Sequence, residues 1–274
     1  MLENLNCLFA PLEALGEFGA LTDALLSPGA VMACGLDDAQ KLHLVSAAAR
    51  KLGRPLLYVT SNEVAAQRVC EDLGALLGGG VALLPARDIS FVRTAASSRE
   101  LSMRRLEALG AAATGKAKAL VLSADTLLCR LMPRQRFLEN VIEITPDMRV
   151  NPTELIARLV QAGYERTPLV EARGQCALRG GILDVYPVGM PEAVRLEFFD
   201  DEVDSLRSFD VMTQRSTSRL ESARVYPASE TLLPGEEYPR AAHALKTLLN
   251  RRAGALRGEG RQKRLEREFD LMPF

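Results

Sequence analysis

The chain has little of the chemistry that most catalytic and metal sites need. It contains no tryptophan and only two histidines, His43 and His243, and aromatic residues make up 5% of its 274 positions. Neither histidine has an evident nucleophile as its partner in the sequence. The five cysteines are scattered and form no CxxC pair, so the spacing of a structural zinc site is missing. We therefore expect no metal and no other cofactor.

Long apolar runs are also absent. No run reaches the length needed to cross a bilayer. The stretch MLENLNCLFAPLEALGEF at the start of the chain carries acids but lacks the basic region of a signal peptide. The cysteines lie mostly within apolar segments, which predicts buried and reduced thiols. These features favour a cytoplasmic protein with no membrane partner.

Neither sign of charge is in excess, since 34 Lys and Arg residues stand against 35 Asp and Glu residues. No global field therefore draws the chain to nucleic acid or to a membrane surface. The apolar and charged fractions, 47% and 25%, are those of an ordinary globular protein. The length allows about one to three domains.

Strands and helices alternate over residues 1–126. Apolar runs predict strands at Ala30–Cys34, Pro55–Thr60, Val81–Leu84 and Ala117–Leu122. Apolar residues at helical spacing predict helices at Asp37–Leu52, Glu63–Leu77 and Arg99–Ala113. Strands separated by helices of this length indicate a mostly parallel sheet with covered faces.

The first turn from strand to helix lacks the signature of a nucleotide site. A phosphate-binding loop reads GxxxxGK[ST], with glycines that let backbone N–H groups surround the phosphates. The chain instead reads ACGLDDAQKLHLV, in which Gly35 is the only glycine and a leucine follows Lys41. Asp37 and Asp38 stand where the helix begins, and a carboxylate there satisfies the free N–H groups itself. We predict an NTPase-like α/β domain whose nucleotide loop is degenerate.

A short antiparallel meander is predicted between Tyr164 and Ser216. Its first strand lies within Ala177–Pro187, its second is Ala193–Phe199, and its third runs from roughly Val203 to Phe209. The glycine pair in the first strand permits a bulge, so the register of that strand stays open.

The second strand of the meander alternates between two faces. Val194, Leu196 and Phe198 point to one side, and Arg195, Glu197 and Phe199 point to the other. An aromatic ring and an arginine on a solvent face are typical of protein–protein interfaces. In the alternative interpretation, Phe199 packs under a neighbouring loop and Arg195 pairs with Glu197 or Asp184.

The segment from Arg179 to Ser216 reads RGGILDVYPVGMPEAVRLEFFDDEVDSLRSFDVMTQRS. It resembles the module shared by the bacterial transcription-repair coupling factors and the excinuclease subunit UvrB. The FFDDE turn and the closing TQRS look more like the coupling factors than like UvrB. In this family the module docks UvrA, and the resemblance places the docking residues at Arg179, Arg195 and Phe199.

The resemblance also implies an organisation for the whole chain. Residues 1–126 would form the P-loop-NTPase-like parallel sheet domain, residues 127–211 an inserted α+β docking domain with the antiparallel meander, and residues 212–274 a return to the first domain. Coupling factors continue into a polymerase-binding domain and a DNA translocase. RNA polymerase and DNA would then be partners only through parts not found here, and no catalysis is expected of this chain.

Two other functions remain open at the level of sequence. The first is a UvrB-like enzyme of excision repair that depends on ATP and DNA, which the sequence between Gly35 and Lys41 disfavours. The second is contact with nucleic acid through a loop at Pro85–Arg99 and the helix after it. The arginines available for that contact are Arg87, Arg93, Arg104 and Arg105.

Overall fold

The fold is taken from a computed structural model that describes residues 2–87, 95–232 and 237–255 and residue 263. The helices are α1 (Leu2–Glu13), α2 (Gly16–Leu26), α3 (Asp38–Leu52), α4 (Glu63–Leu77), α5 (Ala95–Ala113), α6 (Ala124–Leu127), α7 (Arg134–Glu139), α8 (Pro152–Gln161) and α9 (Tyr238–Ala255). The strands are β1 (Leu56–Thr60), β2 (Val81–Leu84), β3 (Ala119–Ser123), β4 (Ile142–Ile144), β5 (Glu165–Arg166), β6 (Gln175–Arg179), β7 (Ile182–Val185), β8 (Ala193–Phe199), β9 (Glu202–Phe209), β10 (Ser216–Arg219) and β11 (Ala223–Val225). The chain is a mixed α/β protein with both parallel and antiparallel sheets.

The first sheet is parallel and has the strand order β1-β3-β2. Helices α3 and α4 cover one face, where Leu42 and Leu73 pack against Val121. Helix α5 covers the other face only over β2 and β3. On that face of β1, the side chains of Leu57 and Val59 are exposed. The prediction of a parallel sheet is therefore confirmed, but the prediction that both faces are covered is wrong at β1.

The strand predicted at Ala30–Cys34 is wrong. This segment forms no regular secondary structure and pairs with none of the described strands, and Val31 and Met32 in it are exposed. A short apolar run has the propensity for a strand, but a strand also needs a neighbour that completes its hydrogen-bond ladder.

The ends of the two long helices on the first sheet follow from their sequences. Asp37 caps α3 and Asn62 caps α4, each accepting a hydrogen bond from a backbone N–H of the first turn. Gly53 and Gly78 end these helices in the left-handed conformation, with φ of 60° and 65°. An L residue pays steric strain in that conformation, which explains glycine at both positions.

The second sheet is larger and has the strand order β10-β9-β8-β7-β6-β5. All of its pairs are antiparallel except β5 with β6. The first predicted meander strand is in fact two strands, because Gly180 and Gly181 form a hairpin turn between them. Arg179 pairs directly with Ile182 across this turn, and Gly180 has a φ of 59°. A positive φ at the first central residue is a feature of the tight turns that join antiparallel strands. The glycine pair thus sets the register that the sequence left open.

One face of the second sheet carries the main core of the protein. Helix α8 packs there through Leu155, Ile156 and Leu159, which belong to the same buried cluster as Leu196 and Leu206 of the sheet. The cluster also contains Phe137 and Tyr226, whose rings meet edge to face with centroids 5.6 Å apart. The opposite face of the sheet carries a smaller buried cluster of Val170, Ala177, Ala193 and Phe209, and beside it several charged and polar side chains.

Tyr226 joins the second sheet to the rest of the chain. It follows β11, which pairs with β4 in a separate two-stranded sheet. Its backbone carbonyl accepts a hydrogen bond from the buried hydroxyl of Tyr164 at 2.8 Å. Burial raises the pKa of the Tyr164 hydroxyl. The ring of Tyr226 lies directly against Gly110 of α5 and against Gly189.

The contact between Gly110 and Tyr226 gives a first testable prediction. A Cβ at Gly110 would lie 2.4 Å from Cε2 of Tyr226, so Gly110→Ala is expected to destabilise the protein by about 1–3 kcal/mol. Gly74→Ala in α4 is the matched control, since a Cβ there meets nothing within 4 Å. The control substitution lowers the backbone entropy of the unfolded chain and causes no clash in the folded protein. It is therefore expected to stabilise the protein by about 0.5–1 kcal/mol. Urea denaturation of both variants measures the difference, and equal stabilities would contradict the packing described for Tyr226.

The cysteines only partly follow the prediction that they are buried. Cys176 is fully buried, and burial raises the pKa of its thiol to about 11. Cys7 and Cys34 are exposed, so the prediction is wrong for them. Cys34 is exposed because its segment does not join the sheet. Across the described residues no His, Cys, Asp and Glu side chains gather as a metal site would require. None of the helices described in this chain combines the length and the apolar character that a membrane span requires.

Candidate protein-docking face

The face of the second sheet opposite the main core brings together the residues that the sequence singled out. We call it the docking face and define it by Arg179, Ile182, Asp184, Arg195, Glu197 and Phe199. These residues lie on β6, β7 and β8, opposite the face that packs on α8. The alternation predicted for β8 is confirmed, since Val194 and Leu196 lie in the main core and Phe198 packs against it.

Asp184 is the centre of the docking face. Its side chain is completely buried, at 0% exposure, in the apolar strand β7. Register places it directly opposite Arg195 on β8. Arg195 donates two parallel hydrogen bonds to its carboxylate, from Nε to Oδ1 at 2.7 Å and from Nη2 to Oδ2 at 2.9 Å. Arg179 reaches it diagonally from β6, with Nη2 at 2.7 Å from Oδ2. One buried carboxylate therefore holds two guanidinium groups.

Arg195 is held on all sides. Its Nη1 donates to the backbone carbonyl of Gln214 at 3.1 Å, and its guanidinium carbon lies 4.7 Å from the centre of the Phe209 ring. The hydrogen bonds to Asp184 raise the pKa of the guanidinium against the opposing effect of burial. Only 14% of the side chain is exposed. Arg195 is thus fixed in place and offers a partner protein little surface.

Arg179 and Phe199 offer much more surface to a partner. The side chain of Arg179 is 46% exposed, although the tie to Asp184 fixes its direction. Phe199 is 79% exposed and stands at the end of β8, opposite Glu202. It lies four residues beyond Arg195, which is about 13 Å along a strand. The alternative that Phe199 packs under a neighbouring loop is therefore wrong, whereas the pairing of Arg195 with Asp184 is confirmed.

The structure adds Asp184 to the three residues that the sequence proposed. It brings Arg179 and Arg195 together and leaves Phe199 apart on the same face. The available signal was a carboxylate inside the apolar run ILDV, because a buried charge requires a partner of opposite sign. That signal could not reveal the second partner, Arg179, before the turn at Gly180 was known.

The arginines considered for nucleic-acid contact are mostly committed elsewhere. Arg105 is buried, with 2% of its side chain exposed, and pairs with Glu230. Arg87 donates to the same carboxylate at 2.7 Å, and Arg104 pairs with Glu100 on its own helix. Arg93 lies outside the described residues, as do positions 88–94 of the predicted loop. Arg105 therefore cannot reach a nucleic acid, and Arg87 is held against the protein.

The N-terminus of α3 is occupied by the protein's own side chains. The Asp37 carboxylate accepts from the backbone N–H of Gln40 at 2.7 Å, and the Gln40 side chain accepts from the backbone N–H of Asp37 at 3.0 Å. This reciprocal capping box satisfies N–H groups that a phosphate would need. Lys41 pairs with Asp38 at 2.9 Å.

Comparison with known families identifies the part of the chain that carries the docking face. Residues 142–230 match the family described as the UvrB interaction domain. The matched segment contains the whole docking face and every strand of the second sheet.

The chain is also similar to complete curated proteins. It is 35% identical over 208 residues to the transcription-repair-coupling factor of Bacillus subtilis (strain 168), and the match covers 76% of this chain and 18% of that protein. It is 32% identical over 242 residues to the factor of Myxococcus xanthus, which covers 85% of this chain and 20% of that protein. The chain thus spans about a fifth of the length of these relatives. Over most of its own length the chain is similar to transcription-repair-coupling factors.

Proposed function

We propose that this chain recruits UvrA through its UvrB interaction domain and thereby serves transcription-coupled nucleotide excision repair. The observation that carries the proposal is the pairing of an exposed ring, Phe199, with a half-exposed and pre-positioned guanidinium, Arg179, on one face. Arginine and aromatic side chains are the residues that most often dominate the binding energy of interfaces. The family match and the relation to transcription-repair-coupling factors support UvrA as the partner.

The residues of the docking face would have different tasks. Arg179 would pair with a carboxylate of UvrA through the N–H groups that Asp184 leaves free. Phe199 would fill an apolar depression, with Ile182, which is 37% exposed, beside the hairpin turn as additional apolar area. Arg195 would act mainly by holding Asp184, and through it Arg179, in position. Pre-positioning matters because less side-chain freedom remains to be lost on binding.

The proposal predicts a large loss of affinity from single substitutions on the docking face. Arg179→Ala and Phe199→Ala are each expected to weaken binding of UvrA by about 2 kcal/mol, or roughly 30-fold. Isothermal titration with purified UvrA measures the change. Arg158→Ala and Leu128→Ala are matched controls, because both side chains are exposed and neither belongs to the docking face. A double variant, Arg179→Ala with Arg195→Ala, that binds as tightly as the unsubstituted chain refutes the proposal.

We expect this chain to bind no nucleotide. We infer that residues 1–126 are an NTPase-like scaffold without nucleotide, which residues 212–274 rejoin after the docking domain at 127–211. The capping box of Asp37 and Gln40 supports this inference, because their side chains occupy two backbone N–H groups at the start of α3 that a phosphate would need. Equilibrium dialysis with ATP tests it, and measurable binding of ATP by this chain would favour the UvrB-like enzyme instead.

A further inference from the structure

Three arginines lie side by side across the second sheet, in direct continuation of the docking face. Arg195 on β8 pairs in register with Arg207 on β9, and Arg207 pairs in register with Arg219 on β10. Residues directly opposite one another on neighbouring strands project to the same side of a sheet. The next residues, Leu206 and Leu220, contribute to the main core on the other side. Arg207 and Arg219 therefore extend the docking face towards the edge of the sheet.

Unlike Arg195, these two arginines have no described carboxylate that neutralises their charge. Asp184 neutralises Arg195, but Arg207 and Arg219 are exposed, and the guanidinium group of neither forms an ion pair or a hydrogen bond with any described residue. Neighbouring strands are about 4.8 Å apart, so the two side chains start from directly opposite positions on the same face. Like charges directly opposite one another weaken a sheet. The arrangement lowers the stability of the fold, which indicates that the two positive charges serve the binding of a partner and not folding.

We propose that Arg207 and Arg219 are a second contact of the docking face and bind an acidic patch on the same partner protein. This inference rests on the proposed function and extends it, because it states the charge that UvrA would present beside the Phe199 depression. A protein is favoured over nucleic acid by exposed carboxylates on the same hairpin: Asp200 and Asp201 lie in the turn between β8 and β9, and Asp204 lies on β9. These carboxylates would repel a phosphate backbone, whereas a folded partner can place its own cations against them.

The contact is expected to act on the rate of association. Exposed charges at the rim of an interface steer the encounter and are screened by salt, whereas central anchors control dissociation. Arg207→Ala combined with Arg219→Ala should therefore lower the association rate constant with UvrA by about tenfold at low salt, on the order of 50 mM, and by much less at roughly 500 mM. The dissociation rate should change little. Arg179→Ala should show the opposite pattern.

Surface plasmon resonance with immobilised UvrA tests the inference on the whole chain. The control is Arg158→Ala combined with Arg240→Ala, which removes the same charge from two exposed positions on helices. It should change the association rate less than twofold, by the same screening argument. An association rate that falls equally in the control, or not at all in the Arg207 and Arg219 variant, overturns this inference alone if Arg179→Ala still weakens binding. If the unsubstituted chain does not bind UvrA, the proposed function fails together with it.

Two further measurements distinguish a protein contact at Arg207 and Arg219 from a structural role and from contact with nucleic acid. Arg219→Gln should leave the melting temperature unchanged or raise it, since the substitution removes a like-charge contact. A lower melting temperature would assign Arg219 to the fold instead. Binding of double-stranded DNA that is lost in the Arg207 and Arg219 variant, with no effect on UvrA, would overturn the assignment to a protein partner.

Discussion

Asp184→Asn is expected to lower the free energy of unfolding by about 3 kcal/mol and to weaken UvrA binding at least tenfold. The carboxylate is completely buried and satisfies both Arg195 and Arg179. Removing one partner of a buried ion pair leaves the other charge uncompensated, at a cost of about 3–5 kcal/mol. The amide keeps one acceptor oxygen and the shape of the side chain, which places the expected value at the lower end. Urea denaturation followed by circular dichroism measures the stability, and titration with UvrA measures the affinity.

The affinity for UvrA should fall in the Asp184→Asn variant even though Asp184 itself is buried and cannot contact a partner. Without the carboxylate, Arg179 loses the hydrogen bond that fixes its direction and has to be ordered when UvrA binds. Ordering a long side chain costs about 0.5–1.5 kcal/mol. The loss of affinity should persist in the fraction that is folded, which calorimetry reports well below the unfolding transition.

The control for this prediction is another aspartate of the same sheet. Asp204→Asn removes a charge from an exposed position on β9 and should change stability by no more than about 0.5 kcal/mol. Combining Asp184→Asn with Arg195→Gln should cost less than the sum of the two single substitutions, because the pair is then removed as a unit. Additive costs would show that Asp184 and Arg195 are not coupled in the way the geometry implies.

The sequence predicted those parts of the docking face that depend on local pattern. Alternation along β8 placed Arg195 and Phe199 opposite Val194 and Leu196, because successive side chains of a strand point to opposite faces. The caps at Asp37 and Asn62 could be predicted for a similar reason, since a cap forms bonds only with its own first turn. Such features need no knowledge of which elements become neighbours.

The parts that could not be predicted depend on neighbours in space. Whether Gly180–Gly181 makes a bulge or a hairpin turn decides which residue faces Ile182, and with it whether Arg179 can reach Asp184. The segment Ala30–Cys34 has the composition of a strand, yet no described strand pairs with it. The position of Arg207 directly opposite Arg219 follows only from the pairing of β9 with β10. Register across strands carries this information, and the sequence expresses register only through turns and burial.

A second buried ion pair should contribute strongly to the stability of the parallel-sheet unit. Glu230 follows β11, and its carboxylate pairs with Arg105 of α5 and with Arg87 after β2. Its Oε2 accepts hydrogen bonds from Nη2 of Arg105 at 3.1 Å and from Nη2 of Arg87 at 2.7 Å. Nη1 of Arg105 also donates to the carbonyl of Pro85. These contacts join the end of the segment that matches the UvrB interaction domain to the parallel-sheet unit. Glu230→Gln is expected to lower the free energy of unfolding by about 3 kcal/mol at neutral pH, because Arg105 is left buried without a counter-charge.

The cost of Glu230→Gln should depend on pH in a defined direction. Burial raises the pKa of the Glu230 carboxyl, but the hydrogen bonds and charges of Arg105 and Arg87 outweigh it, so that the pKa lies below its ordinary value of 4.5. A carboxyl whose pKa is lowered by folding stabilises the fold above its unfolded pKa, and this contribution is lost as the pH falls through the folded pKa. The difference in stability between the unsubstituted chain and the variant should therefore be full at neutral pH and shrink below 4.5. Urea denaturation across that range measures it, with Glu237→Gln as the control, since the Glu237 carboxylate is half-exposed and pairs with Arg136 at 3.4 Å. A difference that stays constant as the pH falls would contradict the assignment of the stabilisation to an ionised Glu230.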